Sequence, residues 1–125
     1  MHKFDALRIV DVELEWAKGI AEVVEEKALA GVEVKVIDEF VADEVISRMG
    51  GLDFDDSMDL IVAIRHVDTD IFEKALNALK NFGVYRADKF IVAARMIAGE
   101  VLYAIVNEEI EKIWDMDKDE DGEEV

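Results

Sequence analysis

Aspartates are crowded between residues 53 and 59, and their spacing allows metal chemistry. Asp55 and Asp56 lie three or four positions before Asp59, which puts their carboxylates on one face of a helix. Such a face can hold Mg²⁺ for a pyrophosphate group, because Mg²⁺ prefers oxygen ligands. Acidic residues also gather at helix N-termini, where the helix dipole favours negative charge. We favour this second role, in which Ser57 or an aspartate before it caps the helix that follows.

A second acidic group lies near the end of the sequence. Asp117, Asp119, Asp121 and Gly122 have the spacing of the first half of an EF-hand calcium loop, with carboxylates at loop positions one, three and five before the glycine. The bidentate glutamate of loop position twelve would fall beyond Val125. We therefore expect residues 116–125 to be a solvated, flexible acidic tail, and residues 1–115 to be a single helical domain.

Short stretches of these acidic groups resemble two enzyme families that bind Mg²⁺. The motif D-D-x-x-D at 55–59 is similar to that of prenyl-diphosphate synthases, whose second aspartate-rich motif and basic diphosphate-binding residues have no counterpart here. Glu22, Glu25 and Glu26, taken with Asp56 and Asp59, resemble the paired acidic helices of nucleotide pyrophosphohydrolases, although this chain has Asp-x-x-Asp where that family has Glu-x-x-Asp. Each resemblance covers only a few residues, so neither one assigns a family.

The sequence lacks the residues that other common catalytic and metal-binding sites require. The chain has no cysteine and two histidines, His2 and His66, which argues against thiol nucleophiles and zinc sites. No serine lies in a G-x-S-x-G turn, and Gly50-Gly51 lacks the lysine of a phosphate-binding loop. His66 is expected to be a favourable charge at a helix C-terminus. We predict no catalytic, cofactor-binding or metal-ligating residue.

The charge balance restricts the classes of partner. There are 31 acidic and 14 basic residues, a net charge of −17 on 125 residues. Nucleic acid and anionic membranes are disfavoured, because their binding depends on Lys and Arg. The absence of cysteine fits a reducing cytosol, and no apolar signal segment follows Met1, so a cytoplasmic location is expected. The lack of Gln and the many Ile, Val and Glu residues hint at a thermophilic source.

The N-terminal segment Phe4–Ala30 has the period of one long helix that ends at Gly31. A second apolar stripe on this helix consists of Ile9, Trp16 and Val23 at intervals of seven residues. Two stripes predict packing on two sides, and we expect the second stripe to join two copies into a dimer. The first stripe consists of Leu7, Val10, Leu14, Ala17, Ala21, Val24 and Ala28.

The rest of the chain predicts four more helices. After a strand-like alternation at 32–36, they are expected at Ile37–Met49, from about Ser57 to His66, from Asp70 to Gly83 with a capping-box spacing of Asp70 and Glu73, and at Arg86–Trp114. The last helix includes Phe90–Val106, which is apolar nearly all round. This run is shorter than the roughly 20 residues of a membrane span and contains Arg95 and Glu100, so a central core helix is favoured.

An α/β fold is the rival to this all-α fold of five helices. Leu60–Arg65 and Phe90–Arg95 could be short buried strands, each followed by a helix. However, Arg95 continues into Met96 without a turn residue, and the chain has no proline, which favours long helices. Arg95 itself needs water or a partner on an apolar helix, and an acidic side chain of another helix is favoured over an anionic ligand.

We therefore expect a non-enzymatic, acidic helical interaction or regulatory protein, an adaptor or accessory subunit, that docks on a basic or apolar protein surface. The alternative is a Mg²⁺-dependent hydrolase of a phosphorylated small molecule, using the carboxylates at 22–26 and 53–59. Charge alone also permits weak cation binding or mimicry of nucleic acid.

Overall fold

The fold is known from a computed structural model that describes residues 3–81 and 90–123. This part of the chain forms five α-helices and no strand: α1 (Lys3–Leu29), α2 (Val34–Gly50), α3 (Phe54–Val67), α4 (Thr69–Asn81) and α5 (Phe90–Glu123). The all-α prediction is confirmed. The α/β rival is wrong, because residues 60–65 lie within α3 and residues 90–95 lie within α5.

Two helix ends follow the expected local chemistry. Gly31 has a φ of +80°, and the N–H groups of Gly31 and Val32 donate to the carbonyl oxygens of Ala28 (3.1 Å) and Lys27 (3.0 Å). This bond pair is the Schellman motif, which terminates α1 at the predicted glycine. At the start of α3 the Asp53 side chain accepts a hydrogen bond from the Asp56 N–H (2.8 Å), so an aspartate before Ser57 is the cap.

Other local expectations need correction. The alternation at 32–36 does not form a strand, because α2 begins at Val34. The cap of α4 is Asp68, whose Oδ1 accepts from the Ile71 N–H (3.2 Å), and not the predicted Asp70. The α5 backbone stays helical beyond Trp114, to Glu123. The predicted boundaries at Gly83 and Arg86 lie outside the described residues, and the division between domain and tail near residue 115 stays a prediction.

Helix α5 is the centre of the fold, as predicted. It packs against all four other helices, and its Val101, Leu102, Ile105 and Val106 are fully buried. Helix α1 contributes to the same core with Ala6, Val10, Ala17, Ala21 and Val24, so much of its first apolar stripe faces inward. From its second stripe, Ile9 and Trp16 are half-buried against this core.

A buried ion pair joins α1 to α2. The Glu13 side chain is 6% exposed, and it accepts two hydrogen bonds from Arg48, at 2.9 Å from Nε and 2.7 Å from Nη2. The hydrogen bond to Glu13 raises the pKa of Arg48, and burial of the guanidinium opposes that effect. This bidentate pair fixes the register of α1 against α2.

None of the helices in the described part of the chain combines the length and the hydropathy that a membrane crossing requires.

Candidate binding groove

The acidic residues singled out in the sequence lie on the surface. Asp53, Asp55, Asp56 and Asp59 are exposed in and just before the first turns of α3, where Asp53 acts as the helix cap. Glu22 and Glu26 are exposed on α1, and Glu25 is half-buried. Among the side chains that the structure describes, those of residues 4–81 and 93–115, no three His, Asp or Glu residues converge as metal ligands. The carboxylates at 22–26 and those at 53–59 are therefore not brought together as one set of metal ligands.

The EF-hand resemblance falls on residues whose side chains lie outside the described ones. The backbone of Asp117–Asp121 is helical as part of α5, which is not the conformation of a calcium-binding loop.

A concave surface lies along α5, between α2 and α4. These two helices both pack on α5, but their backbones do not come close to each other. Among the described residues, one face of α5 is therefore left open from Arg95 to Trp114. At a rise of ~1.5 Å per residue this face is about 28 Å long. We call this surface the α5 groove; Tyr103 lines each of its three cavities.

One end of the α5 groove is apolar. A cavity of about 390 Å³ is bounded by α2, by Leu79 of α4, and by Met96 and Gly99 of α5. The charged side chains of Arg95 and Glu100 also line this cavity. Its α2 wall consists of Val45, Ile46 and Met49. The Met49 sulfur lies so close to Gly99 that a Cβ there would meet it at 2.7 Å, so glycine permits this approach of α2 to α5. We call this region the apolar end.

The other end of the groove carries carboxylates. Cavities of about 460 and 200 Å³ open there on either side of Tyr103, and Trp114, 52% exposed, lies at the far limit. Lys74 of α4 is the basic residue at this end, and its Nζ lies 3.9 Å from Glu108. We call this region the acidic end. Its carboxylates belong to Asp38, Glu100, Glu108 and Glu111.

The ionisable groups of the groove show incomplete charge compensation. Burial raises the pKa of Glu100. Burial also raises the pKa of Glu108, with repulsion from Asp68 and Glu111 adding to the rise and Lys74 and Lys112 opposing it. The pKa of Tyr103 is raised by burial and then by the charges of Glu100 and Asp43. A cation bound in the groove would oppose each of these shifts.

Arg95 lies at the apolar end and is exposed. The expected ion pair between Arg95 and an acidic side chain of another helix is not found among the described residues. The helical arrangement does keep Arg95 and Glu100 apart, as their spacing predicts. His66 is exposed in the last turn of α3, in the expected helix-terminal position.

The sequence alone does not indicate most residues of the groove as binding residues. Glu100 and Arg95 stand out because they interrupt an apolar run. Glu108, Glu111 and Asp38 give no such signal, since each resembles any other acidic residue of a solvated helix face. Only the gap between α2 and α4 distinguishes them.

Comparisons of this chain with protein-family models, with curated proteins and with solved structures found no match. The function is therefore inferred from the geometry and chemistry of the groove.

Proposed function

We propose that this protein is a non-enzymatic interaction protein, an adaptor or accessory subunit, that docks a basic and apolar surface of a protein partner in the α5 groove. The observation that carries the proposal is the groove itself, which combines an open apolar cavity with half-buried carboxylates that lack full compensation. Apolar surface that a fold leaves open marks contact sites, and opposite charge steers the right partner to them.

The charge of the whole chain supports the same class of partner. A net charge of −17 repels nucleic acid, anionic membranes and other acidic proteins at moderate salt, and it attracts basic ones. The proposal includes a cytoplasmic location. It also includes a dimer through the second apolar stripe of α1, whose Ile9, Trp16 and Val23 are half-buried.

Two variants of equal exposure test where the partner binds. Ile46 lines the apolar end and Val12 lies on α1, and each is 57% exposed, so aspartate at either position should leave the fold intact. Tagged wild-type protein and both variants would be used to capture partners from the native source. We expect a basic protein to copurify with the wild type and with Val12→Asp, and its recovery to fall by about tenfold or more with Ile46→Asp.

Two results would contradict this function. Full recovery of the same partner with Ile46→Asp would place binding elsewhere. Capture of a partner with an acidic surface would contradict the charge complementarity on which the proposal depends.

A further inference from the structure

We propose that the occupant of the α5 groove is a single amphipathic helix whose composition changes along its length, apolar at one end and rich in Lys or Arg at the other. This inference rests on the proposed interaction function and names the form of its partner. The charge and the shape of the groove carry it independently of any relative.

The shape of the groove suits one helix. Its walls are two helices packed on a third, and its floor is about 28 Å of α5, which matches a partner helix of roughly 19 residues at ~1.5 Å per residue. A helix laid in such a groove buries its apolar face and leaves its polar face in water. The half-buried Met49 and Met96 suit this role, since thioether side chains adapt to the shape of an occupant.

The distribution of charge along the α5 groove sets the direction in which the partner helix lies. Lysine or arginine side chains of the occupant would meet Glu108 and Glu111 at the acidic end, and Glu100 where the two ends meet. They would be repelled by Arg95 at the apolar end, where Ile46 and Leu79 offer only apolar contacts. Its basic half therefore lies toward Trp114 and its apolar half toward Met96.

A second copy of this chain is the rival occupant. A second copy seated in the groove would place its acidic helices against the carboxylates of the acidic end. Like-charge contacts of this kind are unfavourable, so a basic partner fits better.

Binding can be measured with a synthetic peptide and the protein's own fluorescence. The probe is a 20-residue peptide of leucine, alanine and lysine with leucines on one helical face and lysines confined to one half. The control peptide has the same composition in scrambled order. The sequence has two tryptophans, so Trp16→Phe leaves Trp114 at the acidic end as the sole reporter. We expect the patterned peptide to bind at least about tenfold more tightly than the scrambled one.

The position of the peptide can be tested by tethering, because the chain has no cysteine of its own. Ile46→Cys lies at the apolar end and Asn107→Cys, also exposed, lies at the acidic end. We expect Ile46→Cys to form a disulfide with a peptide that has cysteine at its apolar terminus. Asn107→Cys should prefer the peptide with cysteine at its basic terminus. Val12→Cys on α1 is the control that should trap neither peptide.

The other outcomes overturn the inference. Equal affinity for both peptides would show charge attraction without a helix, and would leave the proposed function standing. Absence of binding would reject the helix, while the capture experiment decides the function separately. Equal trapping of both termini at either cysteine would reject the proposed direction. Self-association that Ile46→Asp abolishes, seen by sedimentation, would show that a second copy covers the groove.

Discussion

At the scale of single residues, the Glu13–Arg48 pair is the contact whose loss has the clearest expected cost. Arg48→Ala would leave a buried carboxylate without its two hydrogen bonds, and such an uncompensated charge typically costs about 3 kcal/mol of unfolding free energy. Urea unfolding measures this loss. Replacing both residues by leucine should recover most of the stability, because two apolar side chains need no partner. A loss below about 1 kcal/mol in Arg48→Ala would show that Glu13 finds water instead.

The Glu100 carboxylate should destabilise the folded protein in a pH-dependent way, whereas the Glu13–Arg48 pair stabilises it. Its raised pKa means that the folded protein bears a burial cost for the charged form which the unfolded chain does not. That cost is full above the folded-state pKa and disappears as the pH falls toward the ordinary value of 4.5. Glu100→Gln should therefore stabilise the protein at pH 7, by ~0.5 kcal/mol after allowance for solvent screening.

The pH profile of this variant separates burial from other causes. The gain of Glu100→Gln should shrink in thermal melts as the pH falls through 4.5 and vanish well below it, where the wild-type carboxyl is neutral in both states. Glu22→Gln, on the exposed face of α1, removes the same charge from a solvated position and is the matched control. A gain that persists unchanged at low pH would mean that the glutamine makes a new contact.

At the scale of helices, two glycines, one within α1 and one at its end, should respond in opposite directions to alanine. Gly31 has a φ of +80°, where an L side chain is strained, so Gly31→Ala should destabilise the protein by about 1 kcal/mol. Gly19 lies within the helix, and a Cβ there would have no neighbour within 4 Å outside its own helix backbone, so Gly19→Ala should stabilise the protein by ~0.5–1 kcal/mol. Both changes are read from thermal or urea unfolding. Equal signs would show that the end of α1 adjusts to accept alanine.

The number and order of the helices could be predicted from the sequence because they depend on local signals. The apolar period of α1, the glycine at its end and the near-continuous apolar run of α5 each act within a few residues. The sequence misplaces the cap of α4 because Asp68 and Asp70 are chemically equivalent, and only the backbone geometry shows which one receives the Ile71 N–H. The strand-like alternation at 32–36 misleads because Glu33 and Val34 begin a helix whose stability comes from packing on α5.

The groove could not be predicted in the same way because it depends on distant elements. It exists because α2 and α4 pack on α5 with their backbones apart from each other. Arg95 and Glu100 are recognisable in the sequence as charges on an apolar helix. Their placement at one cavity, together with Ile46 and Leu79, depends on contacts between residues that are far apart in the sequence.

At the scale of the whole molecule, the strong negative charge makes cation effects the test between the two functional classes. The hydrolase alternative requires a specific Mg²⁺ site at Asp56 and Asp59, whereas these residues are exposed at the start of α3. A net charge of −17 destabilises the folded state by self-repulsion, so any salt should raise the melting temperature by screening. The test must therefore separate screening from binding.

We expect millimolar Mg²⁺ to raise the melting temperature no more than NaCl of equal ionic strength does. Screening depends on ionic strength, whereas binding at a specific site depends on the concentration of Mg²⁺ itself. The variant Asp56→Asn/Asp59→Asn should then respond to both salts as the wild type does, apart from a small change in net charge. Glu22→Gln/Glu26→Gln changes the charge equally on α1 and tests the other acidic group of the hydrolase alternative. A Mg²⁺-specific rise that either double variant removes would instead show a bound metal, since only a site on the native state stabilises it by mass action. That result would favour the hydrolase over the interaction protein.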